Sequence, residues 1–318
     1  GAVERASTMR IVSLLPSATE ILCAIGAGDD LVGVTHECDF PASVRSLPRV
    51  TSSALEHDGS SADIDRHVRA SLHAGSSLYH LDSELLERLK PDLIVTQELC
   101  KVCAVDYAIV ARAAKRLSTD PRIVSLEPSS LEDVYDTIAF LGEITAHQMG
   151  AQNVLADLRA RTDRLEREVA DALRDAGGRR PRTLVLEWTD PPMSGGHWTP
   201  GLLERAGGEA LLANPGANSQ VLNWDQIADA DPDVVVVAPC GFDLAATRAA
   251  VDELVGVPAW RDLRAHRRNE VYLLDGNAYL NRPGPRLIDT AEMLATMLFE
   301  DTLDLPVLDP SAWEPLHA

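Results

Sequence analysis

Aromatic side chains make up only 4% of the 318 residues, and the chain carries no apolar run of the roughly 20 residues that a membrane span requires. Every candidate run is broken by charge, which excludes membrane insertion. Basic residues are the minority, with Lys and Arg at 29 against Asp and Glu at 49, so the formal charge is -20. Such a surface repels phosphate backbones and anionic lipid, and nucleic acid is not an expected partner. Catalytic signatures are missing too: there is no Gly-Xaa-Ser-Xaa-Gly elbow, no phosphate loop and no His-Glu-Xaa-Xaa-His helix. The first strand turn also lacks the glycine fingerprint of dinucleotide binding. An enzyme is not expected. Cys100 or Cys103 with His36 as base would be the route to nucleophilic chemistry, and nothing in the sequence selects it.

What is present is an alternation of short apolar strands and amphipathic helices. Hydrophobic residues reach 45%, enough for two cores of ordinary domain size. Arg10 to Leu15 reads as a strand, followed by Pro16 and a Ser17-Ala-Thr-Glu20 segment spaced as a capping box. Further strands are read at Leu31–Val34, Leu93–Thr96 and Arg122–Leu126, with a helix at Ser83–Leu89. Beyond Ser129, with Glu132 placed as a capping partner, helical periodicity continues to about Ala176, as one long helix or a helix pair, and Gly177-Gly178 stops it. Leu155, Leu158, Leu165, Val169 and Leu173 form a single apolar stripe there.

The second half repeats the first. Pro181-Arg182 leads into Thr183–Glu187 as Pro121-Arg122 leads into Ile123–Glu127, and Asp231-Pro232-Asp233 before four valines matches Lys90-Pro91-Asp92 before Leu-Ile-Val. A strand at Val271–Leu274, a loop from Asp275 to Pro285 and a helix at Leu287–Phe299 follow. The expected fold is α/β: two Rossmann-like lobes, each with a parallel-type sheet flanked by helices, joined by a long linking helix. The expected divisions are 9–145 for the first lobe, 146–178 for the linking helix, 179–301 for the second lobe and 302–318 for a tail.

In open parallel sheets ligands bind beyond the carboxyl ends of the strands. In the first half those loops carry Pro16, Ser17, His36, Glu37, Gln97 and Glu98. In the second, Trp188 and Trp198 bracket a loop containing Gly195 and Gly196, and Asn277, Tyr279, Asn281 and Arg282 follow the last clear strand. An indole offers rigid area to a flat ligand such as a corrin or porphyrin, unless it simply packs beneath the loop. The two glycines are expected to leave backbone amides accessible. Arg282 either forks onto a ligand carboxylate or phosphate or neutralises nearby acids.

Cys38, Cys100, Cys103 and Cys240 also follow strand runs, whereas Cys23 reads as a buried small hydrophobe on a helix. Cys100 and Cys103 form a Cys-Xaa-Xaa-Cys pair. With Cys38 and Cys240 they would make a four-thiolate site for zinc or an iron-sulfur cluster, with His36 able to replace one thiolate on zinc. The other readings are unliganded thiols or a redox dithiol. The odd cysteine count, that pair and the lack of an apolar signal core before Met9 lead to an expected cytoplasmic location. The alternative is an extracytoplasmic protein whose signal is not in this sequence.

The stretches RIVSLLPSATEIL, KPDLIV, TPGLLERAGG, DPDVVVV, VYLLDGN and RPGPR, in this order and spacing, resemble the class III solute-binding proteins of bacterial ABC importers, above all the cobalamin and iron-chelate branch. The resemblance runs from Met9 to about Phe299. It implies a non-catalytic protein that holds a small-molecule or metal-chelate ligand, a cobalamin-like corrinoid first, in the cleft between two lobes. It also implies an acid on each lobe that docks onto an ABC permease. Glu84 fits one such position and Asp225, shorter than the family's usual glutamate, the other. For a cytoplasmic relative the partner would instead be an intracellular acceptor protein. The rival expectation is a cytoplasmic metalloprotein with its zinc or iron-sulfur site built from the cleft cysteines.

Overall fold

The computed structural model describes residues 8–54, 59–73, 78–98 and 107–317. They divide into two compact units, one from Gly1–Gly59, Arg66–Glu127 and Tyr135–Leu155, the other from Ser60–Asp65, Pro128–Val134 and Ala156–Ala318. In chain order the elements up to the division are β1 (Ile11–Ser13), α1 (Pro16–Ala24), β2 (Leu31–Gly33), β3 (Thr51–Ser53), α2 (Ser61–His73), β4 (Tyr79–Leu81), α3 (Ser83–Leu89), β5 (Leu93–Thr96), α4 (Tyr107–Ala114), β6 (Arg122–Ser125), α5 (Leu131–Ile144) and α6 (Gln148–Asp175).

The first unit's main sheet runs β2-β1-β5-β6, all parallel, with Ile11 opposite both Leu31 and Leu93. The chain order reverses between β1 and β5, which is the switch point where open α/β sheets place their ligands. Both faces of the sheet are covered, so the strands read as unbroken apolar runs. Val12, Leu14, Ile94, Leu86 and Val110 pack into one core. The antiparallel pair β3-β4 stands apart from this sheet.

The helix α6 begins in the first unit and continues into the second, and it is the long link that the periodicity predicts. It is one member of a pair: α5 ends at Ile144 and Ala146 takes φ 60 before α6 starts. Leu158, Thr162, Leu165 and Val169 form its buried stripe, with Thr162 returning its hydroxyl to the Leu158 carbonyl. Gly177 and Gly178, at φ 68 and 80, let the Gly178 N–H reach back to the Leu173 carbonyl at 2.7 Å and stop the helix.

The second unit adds β7 (Arg182–Thr189), β8 (Pro192–Ser194), α7 (Thr199–Arg205), β9 (Glu209–Ala210), β10 (Gln220–Val221), α8 (Trp224–Ala230), β11 (Val234–Val237), α9 (Leu244–Asp252), α10 (Pro258–Asp262), α11 (Arg264–Arg267), β12 (Val271–Leu274), α12 (Leu287–Phe299) and β13 (Trp313–Pro315). Its sheet runs β10-β8-β7-β11-β12-β13, with β9 also on β7. The centre, β7-β11-β12, is parallel, while β8, β10 and β13 add antiparallel flanks. The core gathers Leu184, Leu186, Val235, Val237, Leu273 and the fully buried Trp260. Arg161 of α6 is tied to α12 of this unit through Asp289 and the buried Glu292.

The internal repeat has a physical basis. Helices α3 and α8 each end in a left-handed residue, Lys90 at φ 48 and Asp231 at φ 40, followed by Pro-Asp. Asp92 then clasps the start of β1, donating its N–H to the Arg10 carbonyl and accepting the Arg10 N–H, both at 2.8 Å. Asp233 does the same to Arg182 at the start of β7, at 2.8 and 3.1 Å.

Two capping expectations are corrected. Helix α1 starts at Pro16 with Leu15 as its N-cap and no side-chain cap, since proline at the first position already removes one free donor. At α5 the reciprocal partners are Ser129 and Ser130 with Asp133, whose carboxylate is held below its ordinary range chiefly by the Ser129 N–H. Glu132 pairs with Arg159 and Arg205 instead. Residues after 301, from which the sequence yields nothing, include the edge strand β13. No helix among the described residues is long and apolar enough to cross a membrane.

Candidate functional site

In the first unit the loops after β1, β2 and β5 carry the candidates. Pro16 and Ser17 open α1, and Ser17 is buried at its N-terminus. His36 is held by Thr51, whose hydroxyl lies 2.8 Å from Nδ1 and accepts the His36 N–H, and its ring packs 5.4 Å from Tyr79. Nε2 of His36 lies 3.9 Å from the Glu37 carboxylate. Gln97 and Glu98 follow β5, and the Glu98 N–H donates to the Glu127 carboxylate. Leu99 to Asp106, and with them Cys100 and Cys103, lie outside the described residues.

Cys38 behaves as a packed core residue. It is 1% exposed, and its Sγ lies 3.1 Å from the Thr19 hydroxyl and 3.2 Å from the Thr35 hydroxyl. Cys23 is only half-buried, so the expected core role is incomplete; burial, then the neighbouring Cys38 and Glu20, push its thiol up to about 11. Cys240 sits in the turn after β11, its N–H donating to the Glu187 carbonyl. Among the described residues no group of three or more His, Cys, Asp or Glu side chains is placed to hold a metal ion.

In the second unit the ends of β7, β11 and β12 converge on one rim. The Trp188 ring meets Phe242 edge-on at 5.2 Å, and its Nε1 is buried with no hydrogen-bond acceptor among the described residues. Trp198 differs: it stacks with His197 and donates its Nε1–H to the Leu280 carbonyl at 2.8 Å, a partner its packing supplies. A buried indole N–H without an acceptor is costly, and Trp198 escapes that cost where Trp188, among the described residues, does not.

The glycine loop is not the open cradle the sequence predicts. Gly195 donates to the Val185 carbonyl and Gly196 to the Ser219 hydroxyl, so both amides are taken. Glycine at 196 is required by close backbone approach: a Cβ there would stand 2.4 Å from the Ser219 nitrogen and 2.5 Å from the Ala217 oxygen. The segment after β12 is a single wide turn, Gly276–Leu280, capped by Asp275. Asn281 donates to the Ala238 and Gly276 carbonyls and ties that turn to the end of β11. Tyr279 is buried beneath Arg286, whose guanidinium lies 5.1 Å from the ring centroid. Arg282 is 4% exposed, donates to Asn277 Oδ1 and faces Asp275, whose carboxyl is raised by burial.

Sequence reading missed Glu187. In the β7-β8 pairing Leu186 faces Ser194 and Trp188 faces Met193, so Glu187 is the extra residue of a bulge. Bulges re-aim side chains, and here an acid follows directly on the buried apolar run Leu184-Val185-Leu186. Burial pushes its carboxyl up to about 7 against the opposing hydrogen bond from Ser219. Ser219 thus donates to Glu187 while accepting from Gly196. A bulge leaves no signal in composition or periodicity.

Glu84 is the second residue of α3 and Asp225 the second of α8, both exposed. They occupy the same position relative to the two Pro-Asp clasps.

Two parallel-centred α/β units joined by a long helix, each with a loop-built rim, have the architecture of the class III solute-binding proteins. The comparisons agree: the profile of the periplasmic binding protein family matches residues 11–278, and the chain belongs to that family. It is 24% identical over 91% of its length to 88% of the vitamin B12-binding protein of Vibrio cholerae serotype O1. The crystal structure of the periplasmic vitamin B12 binding protein BtuF of Vibrio cholerae superposes with a TM-score of 0.65 at 24% identity, covering 91% of this chain and 96% of that one. A periplasmic heme binding protein from Pseudomonas aeruginosa gives a TM-score of 0.70 at 22% identity, covering 96% and 97%. These likenesses fix the fold. The family is one of binding proteins rather than enzymes, and it overturns the cytoplasmic expectation: its members work outside the cytoplasmic membrane. That expectation leaned on cysteine usage, which fits a reducing compartment but does not require one, and on where the sequence begins, which carries no information about a leader; the intracellular acceptor loses its premise with it.

Proposed function

We propose that the protein captures a cobalamin-like corrinoid, or a closely related flat metal chelate, outside the cell membrane and delivers it to an ABC permease. The observation that carries this reading is Trp188: an indole at a strand end, braced edge-on by Phe242, with its N–H buried and unmatched among the described residues. A broad apolar face with one donor suits a macrocycle rimmed by carbonyl oxygens. The relatives named for vitamin B12 and cobalamin binding support that ligand class. Around Trp188, the side chains of Tyr279, Asn277 and Arg282 and the loop of Gly196 and Trp198 would complete the second unit's contribution. In the first unit Pro16, Ser17, His36, Glu37, Gln97 and Glu98 would do so. Glu84 and Asp225 would meet basic residues of the permease.

Calorimetric titration with cyanocobalamin, cobinamide and haemin tests the reading. Binding of a corrinoid is expected, with a loss of about tenfold to a hundredfold in Trp188→Ala, the scale of one well-packed aromatic contact of about 1.5–3 kcal/mol. No heat and no thermal shift with any of the three would overturn it.

A further inference from the structure

Beside Trp188 stands a carboxyl with a built environment. Glu187 occurs where the strand bulges, so its presence on this rim is a departure from the regular pairing of β7 and β8. Its neighbours are arranged for it: the Ser219 hydroxyl donates to the carboxylate, and Ser219 itself is fixed by the Gly196 N–H at 3.1 Å, in a loop so tight that no side chain fits at 196. On the other side the Glu187 carbonyl accepts the Cys240 N–H at 3.1 Å, tying the bulge to the turn after β11. The Glu187 main chain is thus tied on one side and its carboxyl met by Ser219 on the other, while Glu187 remains partly exposed at the strand end. Among the described residues, one hydrogen bond from Ser219 leaves most of a carboxylate's acceptor capacity unused.

Resting on the reading of this rim as a macrocycle site, we propose that Glu187 is its specificity-determining residue. Its carboxylate accepts an N–H from a ligand's peripheral amide and repels a peripheral carboxylate. The site therefore selects a macrocycle decorated with amides, as natural corrinoids are, over one decorated with acids, as haem and its propionates are. Two carboxylates brought together in a partly desolvated site cannot both stay ionised without cost, whereas an amide N–H on a carboxylate is a charge-assisted bond.

Two corrinoids with one ring and different rims isolate this effect: dicyanocobinamide, which carries amides, and dicyanocobyrinic acid, which carries carboxylates. Their affinities are measured by tryptophan quenching at pH 8 for the unmodified protein, Glu187→Gln and Glu187→Asp. The unmodified protein is expected to prefer cobinamide, and Glu187→Gln to shrink that preference by about tenfold, mainly through tighter cobyrinic acid binding. Glu187→Asp, which keeps the charge, is expected to keep a preference of the same sign. A ratio unchanged in Glu187→Gln, with the variant melting as a folded protein, overturns the inference while leaving corrinoid binding intact. If Glu187→Gln does not fold, the unmodified protein and Glu187→Asp decide: equal affinities for the two corrinoids in both overturn it. Binding of neither corrinoid by the unmodified protein overturns the ligand reading itself, and this inference with it.

Discussion

Replacing Glu187 by Gln should stabilise the second unit at neutral pH and do nothing at pH 4. The unfolded carboxyl titrates near 4.5 and the folded one near 7, because burial disfavours the charged form more than Ser219 favours it. Between those values the folded state holds a proton that the unfolded state has released. Stability is therefore complete below 4.5 and falls as pH rises to 7 and beyond, by about 3 kcal/mol if the whole shift is expressed. The glutamine side chain keeps the shape and an oxygen for the Ser219 hydroxyl but has no proton to lose. All five tryptophans, Trp188, Trp198, Trp224, Trp260 and Trp313, belong to the second unit, so intrinsic fluorescence reports its unfolding alone. Urea melts of both proteins at half-unit steps from about pH 4 to 8 give the difference directly, and other titrating groups such as Asp275 and Glu292 cancel in it. The variant should gain progressively across the window and plateau above 7. Parallel profiles, or a gain that grows toward acid pH, would refute the assignment of a buried, proton-holding carboxyl to this bulge.

Removing Arg161 should be costly: Arg161→Met leaves Glu292, 1% exposed, without its cation, and should destabilise the second unit by about 3–5 kcal/mol in the same melts. Adding Glu292→Met should recover most of that loss, since the apolar pair no longer strands a charge. The two clasps should differ. Asp92→Ala removes an exposed acceptor and should cost the first unit about 1 kcal/mol, read by hydrogen exchange at β1, whereas Asp233→Ala also removes one of the two carboxylates that hold Arg264, leaving Asp231, and should cost the second unit about 2 kcal/mol. The Asp233 contribution has the opposite pH sense to Glu187: its carboxylate is held low by the Arg182 N–H and by Arg179, Arg264 and Arg182, against the opposing effect of burial, so it is present above 3.8 and lost as pH falls through the depressed folded value.

Much of this architecture is written in local signals. The helices Ser83–Leu89 and Leu287–Phe299 and the strands Leu93–Thr96 and Val271–Leu274 have the bounds read from the sequence; Pro91 closes the first helix and Gly276 stands just past the last strand. The short flanking strands were not legible: the parallel β9 and the antiparallel β10 are two residues long and the antiparallel β13 three, too short for any period to show, and their pairing is set by neighbours distant in the chain. The capping partners failed for a similar reason, since Glu132 and Asp133 both lie within reach of Ser129 and Ser130 and only the packing of Arg159 and Arg205 separates them. At the rim, residue type marked both tryptophans alike. What distinguishes Trp188 from Trp198 is a carbonyl supplied by Leu280, 82 positions away.

The repeated clasp explains why the two rims are alike in place yet free to differ in chemistry. In each unit a seven-residue helix, a left-handed cap and a Pro-Asp pair fix the register of a sheet strand against the unit's own first strand, at the amino end of the sheet. The acids Glu84 and Asp225 ride on those helices, each seven residues before the proline of its clasp. The carboxyl ends of the same strands carry no shared hydrogen-bonding device among the described residues: the first unit ends in Ser17, His36 and Glu98, the second in a bulge, two tryptophans and a wide turn. Register is thus secured at one end of each sheet, and side chains at the other can change without disturbing it. That separation is why a residue as costly as Glu187 can persist on β7: its penalty falls on a unit whose register is secured independently.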